Sequence, residues 1–178
     1  MRRASPSLLL LGLLAAAVSA APGLAQAPPP VKGPYVRGAE GTSLAPDEVQ
    51  ELMSGMGMGL ARAAELNGYP GPRHLLDLDD KLHLTDEQKA AFKRLTAETI
   101  DQARDVGRLV LAKEAELNGA FAKREITEQR LKALVGELAD LWGRLRVIHL
   151  SAHLKTRMLL TPKQLAEYDK LRGYADKK

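Results

Sequence analysis

The amino-acid sequence predicts an all-α protein built on a long antiparallel helical hairpin with shorter flanking helices. Three observations carry that expectation. Leu131, Leu134, Leu138, Leu141, Leu145, Ile148 and Ala152 recur at alternating three- and four-residue steps, the spacing of one helical face. Phe92, Leu95, Thr99, Ala103, Val106 and Val110 do the same upstream, so each long helix carries a stripe that needs the other. The string Leu-Thr-x-x-Gln occurs twice, at 84–88 and 160–164, placing helix-starting chemistry ahead of one long and one short helix.

The elements follow in order. Residues 1–25 read as a secretory signal: Arg2 and Arg3 precede an apolar run from Leu8 to Val18 that is too short to span a bilayer, and small residues allow cleavage after Ala20 or, preferably, Ala25. The arginine pair also fits a twin-arginine leader, although Pro6 and the following context argue against it. No cysteine follows the run, which excludes a lipid-anchored form. Residues 26–46, rich in Pro and Gly, read as a flexible segment outside the core. A helical domain is expected over 47–174 and a short tail over 175–178.

Within that domain the first helix is expected from Asp47 to Leu66, with acids at its start and Asn67-Gly68 closing it. Tyr69-Pro70-Gly71-Pro72 makes a rigid turn, and a short helix spans Arg73 to about Leu82. The third helix starts at Asp86, capped by Thr85 and Gln88, and is expected to stop near Leu117 because Asn118-Gly119 follows. The fourth runs from about Glu128 to Leu159. The last begins behind Thr161 with Pro162 at its first position and Gln164 closing the box, and Gly173 stops it.

Composition narrows the function. The whole chain has 26 Lys and Arg against 22 Asp and Glu. Loss of the leader removes two arginines and no acid, so the remaining chain is nearly balanced. Cations and acids are interleaved, which gives no basic stripe for nucleic acid. Without cysteine there is no disulfide, thiolate catalysis or Cys-based zinc site. No phosphate loop, dinucleotide fingerprint, His-Glu-x-x-His or Gly-x-Ser-x-Gly occurs, and Asp77-x-Asp79-Asp80 lacks the glycine and oxygen ligand of a calcium loop. An enzyme is not expected.

The paired boxes, Leu84, Thr85, Gln88 and Leu160, Thr161, Gln164, flanking a long hairpin behind a signal peptide, resemble the Spy/CpxP family of periplasmic proteins over roughly residues 47–174. The resemblance implies a thin, curved all-α fold, usually a homodimer, that holds unfolding envelope proteins without ATP. It also implies a periplasmic location, envelope stress as the setting and a membrane sensor protein as a possible partner. No cofactor is required, but metal-binding relatives take zinc, nickel, cobalt or copper, with a His pair or a His and Met pair on the fourth helix completed by His or Glu from the first.

His149 and His153 lie four residues apart on the fourth helix and could share a metal. With Leu145 as the centre of the stripe, His149 sits about 40° and His153 about 80° away, which predicts one half-buried and one marginal imidazole. The first helix offers only Glu65 and acids near its start to complete such a site. Met53, Met56 and Met58 are soft thioethers that suit either a core, a client surface or copper(I). His74 and His83 are expected to serve local roles. The capping residues are expected to be structural.

Overall fold

The computed structural model describes residues 41–174. The expected leader over 1–25, residues 26–40 and the expected tail over 175–178 lie outside the described residues. Among the described residues seven helices follow in order: α1 Pro46–Ser54, α2 Arg62–Glu65, α3 Pro72–Leu76, α4 Asp79–Leu82, α5 Asp86–Ala122, α6 Glu128–Met158 and α7 Pro162–Leu171. The fold is all-α, as the sequence predicts.

Helices α5 and α6 form the antiparallel pair. Gln88, at the start of α5, hydrogen-bonds the Leu159 carbonyl just past the end of α6 at 2.7 Å. Farther along α5, Lys113 meets Glu137 at 2.6 Å and Glu116 faces Arg130 at 3.9 Å. The expected stripes line the seam: Phe92, Leu95, Ala103, Val106 and Val110 are buried on α5, and Leu134, Leu138, Leu145 and Ala152 on α6. Helix α1 lies on this pair, with Val49 and Leu52 completing the first core. Its approach is close. A Cβ on Gly107, midway along α5, would stand 2.6 Å from the Leu52 carbonyl oxygen, so only glycine admits the α1 backbone there.

A second core gathers Leu75, Leu82, Leu84, Phe92, Leu160 and Tyr168 from the short helices and the open end of the hairpin. Leu84 and Leu160 are the leucines of the two boxes. Thr85 and Thr161 each accept a bond from the backbone N–H of Gln88 and Gln164 at 3.2 Å, and each glutamine oxygen accepts in return from the threonine backbone at 3.0 Å. The two boxes also meet. The Gln88 amide donates to Gln164 at 3.0 Å and the Gln164 amide donates to Gln88 at 2.9 Å. The same amides reach the Leu159 and Leu82 carbonyls, so each box closes the turn that leads into the other.

Four boundaries differ from expectation. The single helix expected over 47–66 is broken into α1 and α2, because Gly55, Met58 and Gly59 all take positive φ (70°, 46° and 72°), a conformation incompatible with a continuing helix. The short helix from Arg73 is divided into α3 and α4, and Leu75 and Leu82 both enter the second core. Helix α5 runs through Asn118-Gly119 to Ala122; the Asn118 side chain donates to the Gly41 carbonyl at 2.6 Å instead of ending the helix. The end of the Pro- and Gly-rich segment is part of the packed structure, with Thr42 fully buried and Leu44 against the first core.

Candidate functional site

The rigid Tyr69-Pro70-Gly71-Pro72 turn brings the end of α2 and the start of α3 onto the C-terminal half of α6. Arg157 donates to the Gly68 carbonyl and lies 4.6 Å over the Tyr69 ring. His153 donates from Nδ1 to the Tyr69 carbonyl at 2.7 Å, which fixes the orientation of its ring against the turn. Gly71 is there because the imidazole needs the room: a Cβ would lie 3.0 Å from His153 Nε2 and Cε1.

Glu65, only 7% exposed, is the hub of this region. One oxygen accepts from the Gly71 N–H at 3.2 Å and lies 3.6 Å from His153 Nδ1. The other accepts from His74 Nδ1 at 3.2 Å and from the Tyr168 hydroxyl, with the Arg172 guanidinium 3.6 Å away. Burial would raise the carboxyl's pKa. The hydrogen bonds from His74 and Tyr168, together with the charges of His74 and His153, outweigh it and hold Glu65 ionised below its usual range. Burial and the bond to Glu65 push the Tyr168 hydroxyl well above its ordinary value, so it stays a donor. One carboxylate thus ties α2, α3, α6 and α7 together.

A cleft of about 470 Å³ opens beside this hub, lined by Met56, Met58, Glu65, His74, His149 and His153 among others. His149 is 7% exposed, and its Nε2 and Thr96 Oγ1 are the buried side-chain atoms among the described residues that find no hydrogen-bond partner. Both residues line the cleft. Burial, aided by the nearby charge of His153, lowers the His149 pKa and keeps the ring neutral. Met56 accepts a hydrogen bond from Arg73 at 3.3 Å, and Met58 packs against the first core.

The two histidines are more buried than the helical angles predict, because the turn at 69–72 lies against His153 and the loop at Gly57 approaches His149. Glu65 does meet His153, as the helix spacing allows. No hydrogen bond or ion pair joins it to His149, and among the described residues no group of three or more His, Asp and Glu is arranged to hold a metal ion. His83 is exposed and ends α4 in a left-handed conformation at φ 49°. His74 exceeds a local role, since it shares Glu65 with Tyr168 from the far end of the chain. Tyr168 and Arg172 were not foreseen as site residues. The one signal for Tyr168 is its place on the short last helix, three residues from both Leu165 and Leu171.

No family model, curated protein or solved structure matches the chain.

Proposed function

We propose that this protein is an ATP-independent holding chaperone or stress adaptor of the bacterial periplasm that engages unfolding envelope proteins. The observation that carries the reading is the apolar surface left open along the helices: Phe121 is 53% exposed, Val135 48%, Val147 61%, Leu154 55% and Met158 85%. Burying one such side chain is worth about 1.5–3 kcal/mol, so several of them left open favour a partner that covers them. The joined Leu-Thr-x-x-Gln boxes and the long hairpin agree with the resemblance to Spy/CpxP proteins, and the leader supplies the address. Homodimerisation and contact with a membrane sensor belong to the same proposal. The test is light scattering by a thermally or chemically unfolding client. The protein is expected to slow aggregation at near-stoichiometric ratio without nucleotide; no slowing across several unrelated clients rejects the reading.

The cleft favours one second reading, a periplasmic metal-binding or metal-sensing protein. Its support is the neutral, unpartnered His149 Nε2 in a cleft shared with His153 and Glu65. Calorimetry with zinc, nickel, cobalt and copper is expected to give saturable heat that His149→Ala/His153→Ala abolishes. Equal heats from both proteins end that reading.

A further inference from the structure

Between Asp140 and Glu167 the chain contains no acidic residue, yet it carries Arg144, Arg146, Lys155, Arg157 and Lys163. This interval is the C-terminal half of α6 and the start of α7. Arg157 is turned inward, onto Gly68 and Tyr69. The side chains of Arg144, Arg146, Lys155 and Lys163 are exposed and make no ion pair among the described residues. On α5 and the first half of α6 most cations are paired: Lys93 and Arg94 are exposed without an ion pair, but Lys89, Arg104, Arg108, Lys113, Arg130 and Lys132 each face a carboxylate.

The same interval bears an apolar stripe on the side away from the core. Leu145, Ala152 and Thr156 are buried against the rest of the fold. Val147, Leu150, Leu154 and Met158 follow at steps of three and four residues on the opposite side, with Val147, Leu154 and Met158 more than half exposed. The stripe is about 16 Å long at the rise of an α-helix. By helical angle Arg144 and Lys155 flank it on one side and Arg146 on the other. Glu98 of α5 lines a shallow groove with Val147 and Lys155 but makes no ion pair there.

We infer that this face of α6 docks on an anionic bilayer surface. An apolar stripe bordered by unpaired cations is the pattern of helices that lie in the membrane interface: the aliphatic side chains enter the acyl boundary, and the Arg and Lys stems extend outward so that their charges meet lipid phosphates. An interval without carboxylates fits that occupant closely, because an anionic surface repels every acid placed on the docking face. No described helix is long and apolar enough to cross a membrane, so the contact is peripheral. A folded partner with an acidic apolar segment is the competing occupant. The bilayer is favoured because the exposed apolar side chains share one side of one helix, with unpaired cations on both flanks and no acid in the interval.

The experiment is vesicle flotation with the chain from Gln26 onward, from which the apolar leader is absent and cannot itself seek lipid. Binding is expected on vesicles containing phosphatidylglycerol, to be about tenfold weaker on phosphatidylcholine alone, and to decline with added salt as screening shortens the reach of the charges. Val147→Ser/Leu154→Ser and, separately, Arg144→Glu/Lys155→Glu are expected to abolish it while circular dichroism and thermal midpoint stay close to those of the parent. Equal flotation on both vesicle types, or flotation unchanged in both variants, overturns the inference. So does failure of the parent to float on the phosphatidylglycerol vesicles. The lipid-free aggregation assay keeps the two questions apart, since the holding activity can stand or fall without any vesicle binding.

Discussion

A carboxylate that is only 7% exposed must be held by donors, and Glu65 is held from three directions. Its folded pKa lies below the ordinary value of 4.5, so the unfolded chain takes up a proton first as the solution is acidified. The stability that Glu65 contributes is therefore complete above that range and is lost as pH falls through the lower folded value. His149 acts in the same sense at higher pH. Its folded pKa is below 6.5, the unfolded imidazole protonates while the folded one does not, and stability declines as pH falls from above 6.5 towards the folded value. Urea melts at stepped pH are expected to show both losses, and His149→Gln should flatten the one at higher pH while leaving the acid-side loss in place. A second substitution isolates the hub. Tyr168→Phe keeps the ring in the second core and removes only the donor, and is expected to cost about 1.5–3 kcal/mol, the range for hydrogen bonds to charged groups. Little of this was legible from residue types. Helical spacing could place His149 and His153 on one face, but the donors to Glu65 come from a turn and a helix whose arrival at α6 is a matter of tertiary packing.

Single helices show where local chemistry decided and where it was overruled. Thr85 and Thr161 start α5 and α7 at the predicted residues because a threonine oxygen and a glutamine amide satisfy the orphan backbone groups without outside help. Asn118-Gly119 carries an equally familiar stop signal, and α5 ignores it. The Asn118 amide finds the Gly41 carbonyl, and Gly119 remains helical with open space around it. That contrast gives a paired prediction. Gly119→Ala is expected to stabilise the protein by up to about 1 kcal/mol, the helix-propensity difference between the two residues. Gly107→Ala offers the same propensity gain but drives a methyl group against the Leu52 carbonyl. It is expected to be net destabilising, since overpacking typically costs about 1–3 kcal/mol. Chemical denaturation of the two variants beside the parent measures both signs. The break between α1 and α2 belongs to the same scale: three nearby glycines could be read as weakness in a helix, but positive φ at Gly55, Met58 and Gly59 becomes visible only in the folded backbone.

Across the whole molecule, the fold class, the hairpin and most of its buried stripe follow from periodicity alone, because a long amphipathic helix can satisfy its apolar face in few ways. What periodicity cannot express is the pairing of distant polar groups. The two boxes were readable as separate caps, yet their glutamines bond each other across 76 residues of sequence. A double-mutant cycle on Gln88→Ala and Gln164→Ala measures that pairing, and a coupling of about 0.5–3 kcal/mol is expected for residues in direct contact. Additive effects would mean that each glutamine serves only its own helix.

The glutamine joint also makes the hairpin a closed figure. One end of the α5 and α6 pair is joined by the chain itself, through residues 123–127, and the other by side-chain amides and the leucines beside them. Covalent continuity at the 123–127 connection is then redundant for holding the two helices in register. Proteolytic cleavage between Arg124 and Glu125 is expected to leave two fragments that migrate as one species on native size exclusion. Cleavage of the Gln88→Ala/Gln164→Ala protein should release them more readily, turning a polar contact between two helix caps into a measure of how the molecule survives a cut.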